Sequence, residues 1–130
     1  MEARASARYQ PLSARKARLV VDLIRGVPVN QALDTLRFCR ARASKTIDKV
    51  IRSALATAVV QFDADADNLY VTKVWVDEGP MRYWRFPRMR GMWTRIRRRT
   101  SHIHIVLADK PSEVVGRESG AKPKSGRKRK

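Results

Sequence analysis

Residues 69–107 decide the fold, and they read LYVTKVWVDEGPMRYWRFPRMRGMWTRIRRRTSHIHIVL. The run Leu69–Val76 is rich in branched and aromatic residues, which favour a strand. In Ile103–Leu107 the first, third and fifth residues are apolar, so they share one face of a second strand. The two runs predict an antiparallel pair of strands joined by a long hairpin.

The connection between these strands, residues 79–100, is here called the arm. The chain is expected to reverse direction at Arg88–Gly91, which leaves about ten residues in each strand of the arm. At ~3.3 Å per residue the arm would extend ~30 Å beyond the sheet. A ribbon of that length is barely stable alone in water, so a partner must hold it. The arm contains no acidic residue, and its arginines are interleaved with aromatic residues, which predicts that the partner is RNA or DNA. The arginines are Arg82, Arg85, Arg88, Arg90, Arg95, Arg97, Arg98 and Arg99, and the aromatic residues are Tyr83, Trp84, Phe86 and Trp93.

Three amphipathic helices are predicted before the strands. The first runs from an N-cap at Ser13 to Arg25, the second from a cap at Asn30 to Arg37, and the third over residues 43–59. The first helix presents a basic stripe to a partner on the side away from the core. The predicted fold class is therefore α+β, with three helices packed on a small antiparallel sheet and one long protruding hairpin. The residues expected to face the core are Ala17, Val20, Val21 and Ile24, then Ala32, Leu33 and Leu36, then Ala43, Ile47, Val50, Ile51, Ala54, Leu55, Ala58 and Val59.

The composition favours a single domain that binds a polyanion. The 130 residues suffice for one domain, residues 1–110, followed by a flexible basic tail, residues 111–130. With 29 basic and 12 acidic residues the net charge is +17. Nucleic acid is the first candidate partner and an acidic membrane surface the second, and the excess of arginine over lysine favours nucleic acid. The sequence shows no signal peptide and no run long enough to span a membrane, so a cytosolic protein is expected.

Motifs for metal binding or catalysis are incomplete in this chain. Asp63–Asp67 resembles the start of a calcium loop, but the sixth and twelfth positions of that loop lack the required Gly and Glu. His102 and His104 share a strand face without a third ligand nearby in sequence, and the single cysteine excludes a Cys-based zinc cluster. Asp77 and Glu78 could form half of a metal-dependent nuclease site, but such a site needs more clustered carboxylates, and the charged residues of the adjacent arm are all arginines. No cofactor, no metal and no enzymatic activity are expected.

Four blocks of sequence carry a resemblance to a known family. Leu12–Gly26, Val76–Pro80, Pro87–Gly91 and Arg99–Ile103 occur in an order and spacing similar to the large-subunit ribosomal protein L-twenty-two family. The resemblance implies a structural constituent of the large ribosomal subunit, in the cytoplasm, that supports early subunit assembly. It also implies that the hairpin lines the nascent-peptide exit tunnel, next to the tip of the L-four family protein. The implied partners are large-subunit ribosomal RNA, neighbouring ribosomal proteins and the nascent peptide, and the chain is not expected to form an oligomer by itself.

The resemblance and the charge pattern together define the candidate site residues. In three places this chain departs from the family: Ala14 replaces a common proline, Tyr83–Trp84 replace residues that are typically basic, and Met92–Trp93 follow Gly91 where Arg-Ala is usual. The residues expected to bind ribosomal RNA are Arg8, Arg15, Lys16, Arg18, Arg25, Arg82, Arg85, Arg95, Arg97, Arg98, Arg99 and His102. The residues expected at the tunnel-lining end of the hairpin, here called the tip, are Arg88, Met89, Arg90, Gly91, Met92 and Trp93.

The charge pattern leaves an alternative open. A DNA-architectural protein can grip duplex DNA with β-arms and insert apolar wedges between base steps, and Pro87 fits such a wedge. Competition between ribosomal RNA fragments and duplex DNA separates the two hypotheses.

Overall fold

A computed structural model describes residues 1–109 of the chain. The predicted basic tail, residues 111–130, lies outside the described residues. No helix within residues 1–109 is both long enough and apolar enough to cross a membrane. In chain order the elements are β1 Glu2–Gln10, α1 Ala14–Ile24, α2 Val29–Phe38, α3 Arg42–Phe62, β2 Tyr70–Glu78, β3 Arg82–Pro87, β4 Trp93–Arg98 and β5 Ser101–Ala108, with short 3-10 turns at Ala66–Asn68 and Met89–Gly91.

The main sheet has three antiparallel strands in the order β1-β5-β2. The central strand β5 buries Ile103, Ile105 and Leu107, as the alternation predicts. Val74 of β2 lies opposite Ile105, and Ala3 of β1 lies opposite Leu107. The prediction that the two strand-like runs pair antiparallel is confirmed, and so is the α+β class.

The helices cover one face of this sheet, with α1 on β2 and with α3 on β1 and β5. Helix α1 buries Ala17, Val20, Val21 and Ile24, in agreement with the prediction. Helix α3 buries a stripe from Ala43 to Ala58, but Val59 is 44 % exposed, so its predicted inward position is wrong. Because successive helical residues are about 100° apart, Val59 lies outside the stripe to which Ala58 belongs.

Strand β1 was not among the predicted elements. Its inward residues Ala3, Ala5 and Ala7 alternate with polar residues, as a half-buried strand requires. Alanine has a low preference for strands and buries little apolar surface, so the sequence signal is weak. Strand β1 forms because it pairs with the strongly apolar β5, and the local sequence of β1 does not reveal this partner.

Helix α2 begins earlier than predicted, at Val29 with Pro28 before it, and so the assignment of Asn30 as its cap is wrong. The Val29 amide donates to the Leu69 carbonyl at 2.9 Å, which fixes the chain at the helix start. The Asn30 side-chain amide donates instead to the Asp67 carboxylate at 2.7 Å. A contact with the loop before β2 has therefore replaced the local capping bond.

The arm forms its own two-stranded ladder of β3 and β4, separate from the main sheet. The reversal lies where predicted, in the turn Met89–Gly91, but each strand has 6 residues and not ten. The paired part therefore extends ~20 Å at ~3.3 Å per residue. Proline interrupts the ladder because Pro80 has no N–H to donate. At this break the Gly79 amide donates to the Thr100 carbonyl at 2.9 Å, and the Thr100 hydroxyl donates to the Pro80 carbonyl at 2.7 Å.

Candidate nucleic-acid interface

The arginines of the arm are all exposed to solvent. Every residue from 80 to 95 is exposed, and Ile96 is the half-buried residue of β4. The ladder places Arg82 opposite Arg98 and Arg85 opposite Arg95. Like charges directly opposite each other destabilise a strand pair. Within residues 1–109, no carboxylate lies within 4.0 Å of an arm guanidinium to offset this repulsion.

One face of the ladder stacks arginine on aromatic rings. The Arg85 guanidinium carbon lies 4.7 Å from the Trp93 ring centre, and that of Arg95 lies 5.2 Å from the Tyr83 ring centre. Such cation–π contacts hold the guanidinium planes in place while their N–H groups stay free for phosphate oxygens. Arg97, which pairs with Tyr83, belongs to the same face.

The opposite face of the ladder is more apolar. Trp84 pairs with Ile96, and Phe86 follows on the same side of the strand. The rings stay open to solvent, with Trp84 63 % and Phe86 48 % exposed. Arg88 covers Phe86, with its guanidinium carbon 5.5 Å from the ring centre. Exposed rings beside cations suit the stacking of unpaired bases.

The tip is a tight reversal closed by backbone hydrogen bonds. The Arg88 amide donates to the Met92 carbonyl at 2.7 Å, and the Met92 amide donates to the Met89 carbonyl at 3.3 Å. Arg90 and Gly91 both adopt left-handed backbone, with φ of 58° and 71°. Glycine suits this turn because it takes a positive φ at no steric cost. Met89, Met92 and Trp93 project into solvent, so the predicted tip residues form one exposed end of the arm.

The basic residues predicted on helix α1 divide into two groups. Arg15 and Lys16 are exposed and face away from the core. Arg18 donates through Nε and Nη2 to the Val76 carbonyl, at 3.2 and 3.0 Å, and Arg25 donates to the Val74 carbonyl at 3.2 Å. Arg18 and Arg25 therefore connect α1 to strand β2, in addition to any contact with a partner.

His102 lies at the base of the arm in a structural contact. Its Nδ1 accepts the backbone N–H of Tyr9 at 3.0 Å, and the two rings meet edge to face with centres 4.7 Å apart. The Arg8 guanidinium carbon lies over the Tyr9 ring, 5.4 Å from its centre. Sequence reasoning missed Tyr9, and the available signal was one aromatic residue at the end of an alternating Ala/Arg run.

The acidic and histidine motifs do not assemble into a metal site. Within residues 1–109, no group of three or more His, Cys, Asp or Glu residues is placed to hold a metal ion. His104 stacks on Trp75, with ring centres 5.2 Å apart, and its Nε2 lies 3.7 Å from an Asp77 carboxylate oxygen. Asp77 therefore lies next to His104 in space, which the spacing of these residues in the sequence did not indicate. Asp63 ends helix α3 in left-handed conformation, so the start of the acidic run caps a helix.

Comparison with known proteins identifies a family to which this chain is similar along most of its length. The family model "Ribosomal protein L22p/L17e" matches residues 5–108. A protein of Thermoanaerobacter sp. (strain X514), named large ribosomal subunit protein uL22, is 51 % identical over 110 residues, which cover 85 % of this chain and 99 % of that relative. Relatives of the same name from Chloroflexus aggregans and Bdellovibrio bacteriovorus are each 44 % identical over 110 residues, covering 85 % of this chain and 97 % and 100 % of those relatives. The match includes the arm, both flanking strands and the basic helix, and the chain therefore belongs to the ribosomal protein L22p/L17e family.

Proposed function

We propose that this protein is a structural constituent of the large ribosomal subunit, in cytoplasmic ribosomes, and that it binds large-subunit ribosomal RNA through its arm and helix α1. Residues 1–110 act as one domain from which the arm projects. The role is architectural and involves no catalytic step. The observation that carries the proposal is the charge of the arm, where arginines face each other across a ladder without a carboxylate among residues 1–109 to neutralise them.

Phosphate groups of a bound RNA can neutralise the positive charge of this ladder. A polyanion that lies along the arm replaces the repulsion between Arg85 and Arg95 with charge-assisted hydrogen bonds. The rings of Tyr83 and Trp93 hold those guanidinium groups in position before the partner binds. The exposed rings on the other face offer stacking to unpaired bases, which folded RNA presents in loops and bulges. This combination supports RNA over a uniform duplex.

The tip contacts the nascent peptide in the exit tunnel, beside a neighbouring ribosomal protein, and the chain supports early assembly of the subunit. The family membership and the form of the arm support this part of the proposal. The paired strands extend the tip ~20 Å from the root of the ladder. At the tip, the side chains that face solvent and can form part of the tunnel wall are Met89, Met92 and Trp93.

Incorporation into the large subunit tests the proposal. The arm variant Arg85→Gln with Arg95→Gln removes two charges from the ladder and leaves its rings in place. The control variant Arg37→Gln with Arg52→Gln removes two charges that already pair with Asp34 and Asp48. We expect the wild-type chain and the control variant to co-sediment with large subunits in high salt, and the arm variant to be depleted from them.

Two outcomes contradict the proposal. One is wild-type chain that leaves the large subunit in high salt while the resident ribosomal proteins remain. The other is depletion of the arm and control variants to the same extent, because net charge alone would then account for binding. Duplex DNA that displaces the chain from ribosomal RNA fragments at equal concentration would favour the DNA-architectural alternative.

Crosslinking tests the position of the tip. A photoreactive amino acid at Met89 is compared with one at Phe38, since the two side chains are 84 % and 87 % exposed and belong to the tip and to helix α2. In translating ribosomes we expect the probe at Met89 to crosslink to the nascent chain and the probe at Phe38 not to do so. Equal crosslinking from both positions, or none from Met89, contradicts a tip in the tunnel wall.

A further inference from the structure

A cavity of about 550 Å³ lies at the root of the arm, where strand β1 ends beside the first residues of the ladder. It is here called the root pocket. Its walls combine the cations Arg82, Arg98 and Arg99 with the rings of Tyr9 and Trp84. The volume falls within the roughly 300–1,000 Å³ that small-ligand sites occupy.

Tyr9 reaches the root pocket through an irregularity in strand β1. The register between β1 and β5 shifts between Ala7 and Gln10, so β1 carries a bulge at this point. Tyr9 has a φ of 55°, a left-handed conformation that is rare for an aromatic residue. Bulges re-aim side chains, and strained residues persist where their surroundings hold them and concentrate at ligand sites.

Contacts with His102, next to the root pocket, hold Tyr9 in this conformation. The Tyr9 amide donates to His102 Nδ1, and the ring rests edge-on against the imidazole. Gly79 packs closely against His102 and Thr100, because a Cβ at residue 79 would lie 3.2 Å from His102 Nε2 and 2.5 Å from Thr100 Oγ1. The Tyr9 ring is nevertheless 58 % exposed, so it is positioned without being covered.

The charge of the root pocket identifies the class of ligand. Arg82 and Arg98 are direct partners in the ladder, and Arg99 follows them in the chain. Within residues 1–109 no carboxylate lies within 4.0 Å of these three guanidinium groups. Three cations beside two exposed rings match a ligand that has both an anionic and a flat aromatic part, which a phosphate ion alone lacks.

We propose that the root pocket receives one nucleotide that is extruded from the stack of the bound RNA. The base lies against Trp84 and Tyr9, and the flanking phosphates contact Arg82, Arg98 and Arg99. This inference rests on the proposed RNA-binding function and gives it a defined site for a single nucleotide. It assigns to Tyr9 a binding role and to His102 a positioning role.

The test compares two fluorescently labelled probes of equal charge with the full chain. One is an adenosine pentanucleotide, and the other is the same strand with its central residue abasic. Binding is followed by fluorescence anisotropy. We expect the wild-type chain to bind the intact probe at least about five-fold more tightly, because stacking of one base on an aromatic side chain has that effect or more.

Two pairs of variants locate the effect. Tyr9→Asn removes the ring but suits the left-handed backbone, and its matched control is Phe62→Asn, which removes a ring of comparable exposure from the end of helix α3, away from the arm. Trp84→Ala tests the second ring, with Trp75→Ala on strand β2 as its control. We expect Tyr9→Asn and Trp84→Ala to abolish the preference for the intact probe and both controls to keep it.

The possible failures are distinguishable. Equal affinity of the wild-type chain for both probes, with the usual salt dependence, overturns the root pocket and leaves the proposed RNA binding intact. A preference that survives Tyr9→Asn and Trp84→Ala, or that is lost equally in the controls, also overturns it. Absence of salt-dependent binding to either probe, and to ribosomal RNA fragments, contradicts the proposed function itself.

Discussion

Arg18 and Arg15 lie less than one turn apart on helix α1, yet they have different roles. Arg18 gives two donors to the Val76 carbonyl, and Arg15 extends into solvent. A charge pattern cannot separate them, because the distinction depends on the carbonyl groups of strand β2, which is 58 residues away in sequence from Arg18. The basic stripe of α1 is therefore partly a folding element and partly a binding surface.

Substituting each arginine by methionine separates these roles. Arg18→Met should lower the free energy of unfolding by about 1 kcal/mol, the typical net contribution of such hydrogen bonds. Arg15→Met should change it by less than about 0.5 kcal/mol, as exposed substitutions do, and should weaken RNA binding. Urea denaturation and RNA titration of both variants measure this. Equal stability of the two variants would contradict the structural role of Arg18.

Gly79 is required by close approach at the root of the arm. In Gly79→Ala the new Cβ would lie 2.5 Å from Thr100 Oγ1, whose hydroxyl is held by the Pro80 carbonyl. We expect the free energy of unfolding to fall by about 1–3 kcal/mol, as for other overpacked sites. The control is the same change in a Thr100→Ala background, where the loss should be smaller because Oγ1 is gone. An unchanged loss in that background would show that the contact is not the cause.

Glu2 carries the one clear pKa shift among residues 1–109. Its hydrogen bond with the Arg4 guanidinium, together with the charge of Lys73, holds the pKa of this carboxyl below the ordinary value of 4.5. A depressed folded-state pKa contributes stability that is present above the unfolded pKa and is lost as the pH falls through the folded pKa. We expect an NMR titration of the Glu2 carboxyl to show the lowered pKa in the wild type and a return toward 4.5 in Arg4→Met. The same pKa in both chains would contradict this assignment.

Among the elements, those with several large apolar side chains at inward positions were predicted well. Strand β5 and helix α1 belong to this group, because isoleucine and valine at period 2 or 3.6 leave one plausible face. Strand β1 was missed because alanine gives a weak strand signal, and the first residues of α2 were misassigned because a distant loop takes the Asn30 amide. In these two cases tertiary partners decided what local preference could not.

The position and the charge of the arm were predicted from the sequence, but the length of its paired strands and its separation from the main sheet were not. Sequence reasoning identified the arginines, the rings and the reversal at residues 88–91. It could not show that Gly79–Pro80 and Thr100 separate the ladder from the sheet, which shortens the paired strands to 6 residues each. Nor could it show that the bulge in β1 turns Tyr9 toward the root of the arm. Both features depend on contacts between residues far apart in sequence.

Hydrogen exchange tests whether RNA stabilises the arm. Exposed backbone hydrogen bonds and opposed arginines predict that amides of β3 and β4 exchange faster than those of β5 in the free protein. Addition of a ribosomal RNA fragment should slow exchange in the arm far more than in β5, because phosphates remove the repulsion. If the arm amides are already as protected as those of β5 without RNA, the arm does not need a polyanion to hold it.

At the scale of the whole molecule, a small α+β core supports a much more basic projection. The core buries apolar residues of all three helices and the main sheet, whereas the arm is exposed along almost its whole length. Composition alone predicts a polyanion as partner, since the net charge is +17. The fold adds the location of the binding surface, because the ladder collects arginines that have no carboxylate partner within residues 1–109. It also turns two of the arginines of α1 toward strand β2. The order of the four blocks then connects this arrangement to a family of ribosomal proteins.

The salt dependence of RNA affinity tests most directly whether the arm carries the binding. The dissociation constant of the full chain for a large-subunit ribosomal RNA fragment is measured between about 50 and 200 mM salt, where multiple phosphate contacts give a steep dependence. For Arg85→Gln with Arg95→Gln we expect the slope of log affinity against log salt to become shallower by about 1.4–1.8, which corresponds to two lost phosphate contacts. For Arg37→Gln with Arg52→Gln we expect the wild-type slope. Equal slopes for all three chains, or a wild-type affinity that does not change with salt, would contradict binding through the arginines of the arm.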